Sequence, residues 1–212
     1  MGPHRVILFD LDGTLVDSLP DLAAALNRTL GSALTVADIR PMVGDGAAAL
    51  VARALARLGR EDATALPRFL ADYETNAVVA TQPFDGIVPA LDALAADGWR
   101  MAVCTNKPEG AARALLDGLG LSGRFAAVGG GDSFPVRKPD PAHLLETLKA
   151  AGGGRAVMVG DHHNDVRGAE AAGIPSVFAG WGYGIPAMGE AAAARIATPA
   201  ELPATLAALM PG

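Results

Sequence analysis

The sequence predicts an α/β fold: a Rossmann-like parallel sheet covered by helices on both faces, with a small all-helical domain inserted after the first strand. Three observations predict it. Val6-Ile7-Leu8-Phe9 is a short apolar run that ends on Asp10-Leu11-Asp12-Gly13-Thr14, a buried strand delivering acids to its C-terminal end. From Ile87 onward, near-continuous apolar strands alternate with helices, the pattern of a parallel sheet covered on both sides. Between Leu15 and Thr81 no strand signal appears and helical periodicity runs throughout. Residues 1–15 and 83–212 are therefore expected to form the core, and residues 16–82 the insert.

The insert reads as four helices, about the size of a small domain. Asp17 or Ser18 caps the first, Pro20 sits in its first turn, and Leu19, Leu22, Ala23, Leu26 and Leu30 make its apolar stripe up to Gly31. Thr35 with Asp38 opens a second helix by a capping-box pattern, reaching Met42-Val43. Gly44-Asp45-Gly46 breaks it, Ala47 to Leu58 is the third, and Thr64 to about Val79 the fourth, with Leu66, Phe69, Leu70 and Tyr73 on one face. In the core, helices are expected over Ile87–Ala96, Glu109–Leu119, Ala142–Ala151 and Asn164–Ala172, with a closing helix from Pro199 to Leu209. Strands are expected at 101–104, 125–128, 156–159 and 176–179, with a short edge strand starting at Ile196. The Ala191–Ala194 stretch reads as a solvated helix.

Composition narrows the function. The chain has 212 residues and a net charge of −6, which argues against a nucleic-acid partner. No run of eighteen apolar residues is present, so no membrane span is expected. Met1-Gly2-Pro3-His4-Arg5 leads directly into the first strand, so no signal peptide is expected and the default location is cytoplasmic. Cys104 is the only cysteine, which excludes a disulfide framework and a Cys-based zinc site. Only Lys107, Lys138 and Lys149 are lysines among 17 basic residues, so a lysine here marks a place for a compact charge.

Polar residues cluster at strand ends. Asp10 and Asp12, at i and i+2, point the same way; Asp-Gly is also a common turn dipeptide, which is the plainer reading of the pair alone. Thr105 and Asn106 follow the second strand, Lys138 opens a helix, and Asp161 and Asp165 lie four apart around a helix start. A parallel sheet brings these ends to one edge. Four carboxylates against one lysine call for a divalent cation with oxygen ligands, Mg2+ above all, and the lysine, a hydroxyl and helix N–H groups suit a phosphoryl group beside it.

These residues resemble a known family, the haloacid dehalogenase-like phosphatases. The likeness rests on Asp10-Leu11-Asp12-Gly13-Thr14, Thr105-Asn106, Lys138-Pro139, and Gly160-Asp161 with Asp165, in that order over most of the chain. The insert resembles the family's mobile helical cap, expected to hinge near residues 15–17 and 81–85. Val43-Gly44-Asp45-Gly46, Thr105-Asn106-Lys107-Pro108, Lys138-Pro139-Asp140-Pro141 and Trp181-Gly182-Tyr183-Gly184 resemble the phosphoglycolate phosphatases within it. His162-His163 departs from the pattern, since a small hydroxyl residue commonly follows the aspartate. The resemblance implies Asp10 as nucleophile, Asp12 as general acid and base, and Thr105, Asn106 and Lys138 as holders of the phosphoryl group. It implies Mg2+ held by Asp10, the Asp12 carbonyl and Asp161, with Asp165 direct or through water. Thr14, Lys107 and Gly44-Asp45-Gly46 are expected at the substrate, a small phosphorylated metabolite; the protein is expected as a monomer or homodimer.

Other readings stand beside these. A phosphoacceptor signalling domain also pairs an aspartate with Mg2+, but it lacks acid–base chemistry like that of Asp12. A carbon–halogen hydrolase needs neither that acid nor the metal, and a phosphomutase must bind a second phosphate with its cap. Phosphatases for sugar phosphates or nucleotides share all four motifs. Lys107 reads equally as a surface lysine or as a partner for an anion. Arg40 and Arg53 read as surface charges, Trp181 and Tyr183 as packing, and His162 and His163 as solvated loop residues without partners for zinc.

Overall fold

The computed structural model describes residues 4–211, so residues 1–3 and residue 212 lie outside it. β1 (Arg5–Phe9) is the centre of a parallel sheet with β4 (Arg100–Cys104) on one side and β6 (Arg155–Gly160) on the other. β5 (Ala127–Gly129) continues beyond β4, and β7 (Ser176–Ala179) and β8 (Ala194–Ile196) beyond β6, giving the order β5-β4-β1-β6-β7-β8. The alternation of β1 explains why both faces are covered. Ile7 and Phe9 face one hydrophobic cluster with Leu91, Leu94, Leu115 and Leu202; Val6 and Leu8 face another with Leu144, Met158 and Ala169. The covering helices are α5 (Ile87–Ala96), α6 (Glu109–Gly118), α7 (Pro141–Ala150), α8 (His163–Ala171) and α9 (Leu202–Leu209).

The insert has its own hydrophobic cluster. It is built from α1 (Leu19–Leu30), α2 (Val36–Ile39), α3 (Ala47–Leu58) and α4 (Ala65–Asn76), packed around Leu26, Ile39, Leu50 and Phe69. The Thr35/Asp38 capping box forms, but the second helix stops at Ile39 and continues as a 3-10 turn, Arg40–Met42. Pro41 supplies no N–H and clashes with an α-helical path, which accounts for the change.

Two connections depart from the expectation. β2 (Val16–Asp17) and β3 (Gln82–Pro83) pair antiparallel where the chain leaves and re-enters the core. Each is two residues long, too short for any alternation to register. Behind them Asp21, which lies off the apolar stripe of α1, is buried and accepts the N–H groups of Val79, Ala80 and Thr81 and the Thr81 hydroxyl. Burial opposes its charge, but the Thr81 hydroxyl and those N–H groups outweigh it and hold the carboxyl below its ordinary value. Asp21→Ala strands buried N–H donors and is expected to cost roughly 2–4 kcal/mol, read as a shift in the urea midpoint. The other departure is Ala191–Ala194, expected as a helix: Ala194 opens the edge strand β8 beside β7 instead. An alanine run carries helix propensity, but pairing with Val177 and Phe178 overrides it.

Candidate active site

The sheet register creates the site. Phe9 pairs with Val103 on β4 and with Val159 on β6, so the residues just past the three strand ends meet at one edge. Asp10, Thr105, Asn106 and Asp161 stand there, all buried. Gly13, at φ +89°, reverses the chain into the insert.

Lys138, from the loop before α7, reaches into this edge. Its Nζ lies 2.9 Å from Asp10 Oδ1 and donates to Asp165 Oδ1 at 2.6 Å. Burial acts against the ammonium, but Asp10 and Asp165 hold its pKa far above the ordinary value, so it stays charged. The backbone N–H of Lys138 donates to Nδ1 of His143 at 3.0 Å. Burial and the Lys138 charge lower His143 to about 4, so that nitrogen is free to accept. Asp165 is doubly engaged: its second oxygen accepts from the His162 N–H, closing a capping box at the start of α8.

Asp161 is fixed by three donors. The Thr14 hydroxyl donates to Oδ1 at 3.1 Å, and the N–H groups of Tyr183 and Gly184 donate to Oδ2 at 2.7 and 3.1 Å. Burial, followed by the charges of Asp10 and Asp165, still raises Asp161 to about 7. Burial and the Asp165 charge likewise raise Asp10, against the pull of Lys138. Asp10, Asp161 and Asp165 offer oxygens all within 4.8 Å of one another. Three buried carboxylates thus face one ammonium, and the uncompensated negative charge fits a hard divalent cation such as Mg2+. Thr14 was expected at the substrate; it is fully buried with its hydroxyl on Asp161, since Gly13 turns it inward.

Asp12 leads away from this cluster toward the insert. Both its oxygens accept from the Lys107 ammonium at 3.1 Å, and Oδ1 also accepts from the Ser18 hydroxyl at 2.6 Å. Ser18 stands at the N-cap position of α1 but serves Asp12 rather than capping the helix. Lys107 is not a surface lysine: it is buried, and its ammonium also donates to the hydroxyl of Tyr73 in α4 at 2.9 Å. Neither contact has a local signal, because the partners are far apart in the chain.

A cavity of about 50 Å3 lies between insert and core, lined by Asp10, Asp12, Thr105, Asn106 and Lys107 below and by Gly44, Gly46, Leu50, Phe69 and Tyr73 above. The Asn106 amide donates to Gly44 O and Lys138 O, both at 3.0 Å, so it ties the insert's loop to this sheet edge. Asp45 lies one step aside: Asn164 Nδ2 at 2.7 Å and Arg53 Nη2 at 2.5 Å hold its two oxygens. It comes within metal-ligating range of His162 and His163, a neighbour the sequence reading did not provide for them. Arg40 and Arg53, expected as surface charges, both have partners. Arg40 binds the carbonyls of Gly182 and Tyr183 across the two units, and Arg53 binds Met42 O as well as Asp45. Trp181 and Tyr183 do more than pack. Trp181 donates to Thr14 O, and the Tyr183 hydroxyl accepts the Ser18 N–H and donates to Asp17 beside β2.

Comparison with known proteins accords with this geometry. Residues 4–173 match the model of the haloacid dehalogenase-like hydrolases, and the chain belongs to that family. Among its curated relatives, phosphoglycolate phosphatase of Rhodospirillum rubrum is 48% identical, over 84% of this chain and 80% of that protein. Phosphoglycolate phosphatase of Mesorhizobium japonicum is 43% identical, over 84% and 83%. A crystal structure of a predicted phosphoglycolate phosphatase from Haemophilus somnus superposes with a TM-score of 0.87 at 29% identity, covering 97% of this chain and 99% of that one. Among the described residues no helix is long and apolar enough to cross a membrane.

Proposed function

We propose that the protein hydrolyses a small phosphate monoester, 2-phosphoglycolate, through an aspartyl-phosphate on Asp10, with Mg2+ as cofactor. The relatives named phosphoglycolate phosphatase support the substrate. The observation that carries the chemistry is the presence of Asp10 and Asp12 at one small cavity, each ion-paired to its own lysine, Lys138 and Lys107. Asp10 is buried beside Lys138 and two further carboxylates, where an anionic phosphoryl group needs balancing charge. Asp12 stands on the insert side, where the leaving group exits.

In the first step an Asp10 oxygen forms a bond to phosphorus while the ester P–O bond breaks, and Asp12 gives its proton to the departing alkoxide oxygen. In the second, Asp12 takes a proton from water as that water attacks phosphorus, and the Asp10 carboxylate leaves. Lys138 and the Thr105 hydroxyl hold the phosphoryl oxygens throughout. Asp10, Asp161 and the Asp12 carbonyl would hold Mg2+, with Asp165 direct or through water; the ion supplies charge neutralisation for the phosphoryl group and orients it for in-line attack.

Residues 16–82 act as a cap over residues 1–15 and 83–212, moving on the β2–β3 ribbon to admit substrate and then limit water. The cap's lining of the cavity is apolar and backbone apart from Tyr73, while Arg40 and Arg53 are engaged elsewhere. That lining suits a small organic part better than the second phosphate of a mutase substrate.

A panel of phosphate monoesters assayed with Mg2+ and ranked by kcat/KM tests the reading; 2-phosphoglycolate is expected at the top, and a sugar phosphate or nucleotide there would replace it. The loop at Gly46 gives a sharper test. Gly46 has φ +88°, and a Cβ there would stand 3.0 Å from the Asn106 carbonyl oxygen. Gly46→Leu is therefore expected to lower kcat/KM for 2-phosphoglycolate by about 10- to 100-fold, and to lower it less for an aryl phosphate whose bulk already holds the cap open. Equal losses on both substrates would show that this loop does not select between them.

A further inference from the structure

The cavity holds a donor that the sequence reading passed over. Lys107 and the Gly44–Gly46 loop, both expected at the substrate, stand at this cavity. Lys107 is held between two partners: its ammonium donates to both oxygens of Asp12 at 3.1 Å and to Tyr73 Oη at 2.9 Å. Its charge is thereby committed to Asp12. Tyr73 is placed differently. Its oxygen accepts from Lys107, and its own proton is donated to none of the described residues. Tyr73 is buried, and it lines the same cavity as Asp10 and Asp12. Phe69 stacks on the ring with centroids 5.8 Å apart, and the Lys107 ammonium sits 4.4 Å from its centre, so the ring cannot turn freely. Burial raises the phenol above its ordinary value against the opposing Lys107 charge, so the proton stays on oxygen. An O–H whose oxygen already accepts from a cation is a stronger donor.

We propose that the Tyr73 hydroxyl recognises the carboxylate of the substrate, donating to it from the cap while Lys107 polarises the phenol from behind; this rests on the substrate reading above. The side chains of Leu22, Val43, Leu50, Phe69 and Leu70 make up most of the remaining cap lining, so Tyr73 is the polar side chain the cap presents to the cavity.

The test compares 2-phosphoglycolate with ethyl phosphate, which has the same two carbons and a methyl group in place of the carboxylate. Wild-type protein is expected to prefer 2-phosphoglycolate. Tyr73→Phe keeps the stacked ring and removes the donor. It is expected to lower kcat/KM for 2-phosphoglycolate by about 10- to 100-fold, mostly through KM, and to change that for ethyl phosphate by less than about threefold. Equal losses on both esters would mean that Tyr73 acts only through Lys107 and Asp12, which overturns the donor role. An undiminished preference in Tyr73→Phe also overturns it and leaves the substrate reading standing. A wild-type protein with no preference between the two esters would overturn the substrate reading itself, and the Tyr73 proposal with it.

Discussion

Asp10→Asn is expected to abolish turnover. An amide is a far poorer nucleophile toward phosphorus than a carboxylate, and losing a covalent nucleophile lowers kcat by about 10^4-fold or more. The site sharpens the expectation. Lys138 Nζ stands 2.9 Å from Asp10 Oδ1, an ion pair that the substitution reduces to a contact with a neutral group. Lys138 keeps Asp165 at 2.6 Å, so the loop before α7 stays anchored and the fold is expected to survive. Phosphate release with Mg2+ present gives the rate, mass spectrometry of rapidly quenched protein reports any phosphorylated intermediate, and a thermal melt checks folding. Folded Asp10→Asn protein with substantial activity would remove Asp10 from the nucleophile's role.

Exhaustive chelation is expected to have the next largest effect, a loss of about 10^3-fold restored by Mg2+ and in part by Mn2+ or Co2+. Asp10, Asp161 and Asp165 are buried together with Lys138 as their near cation, and Asp161 is raised to about 7 by burial and by its two acidic neighbours. A phosphate ester adds further negative charge, which this cluster does not tolerate without a divalent ion. A readout independent of turnover follows from mass action: Mg2+ at about 100 times its dissociation constant stabilises the fold by about 2.7 kcal/mol. The melting temperature should rise accordingly, and less so in Asp161→Asn. Added zinc should not be needed. Full activity in rigorously chelated protein would contradict the metal's role.

Much of this was legible along the chain, because the signals are local. Val6–Phe9 is uniformly apolar since both faces of its strand are covered, and Ile7 and Phe9 do pack on one side while Val6 and Leu8 pack on the other. The motifs at Asp10, Thr105 and Asp161 were visible as polar residues placed where strands end, with Lys138 just before a helix, and a parallel sheet has one edge to which all such strand ends come. The capping box at Thr35 and the apolar stripe of α1 need only neighbours within a few residues.

What the sequence could not determine depends on partners distant in the chain. β2 and β3 hold each other by pairing across the whole insert, and Ala194 enters β8 because β7 offers it an edge. Asp21 looks like a surface acid on α1 until Val79, Ala80 and Thr81 present their N–H groups to it. Ser18 fits a cap until Asp12 is in place beside it, and Arg40, exposed as expected, has the Gly182 carbonyl as a partner. The chain of Asp12, Lys107 and Tyr73 joins a strand end, a core loop and an insert helix. Residue type and periodicity report which face of an element is buried; they carry no record of what a buried polar group meets there. The sequence alone therefore determined the sheet, the insert and the acids of the catalytic edge. Only the tertiary structure decided which donor serves which acid, because a buried hydrogen bond is settled by the one partner that packing brings within reach.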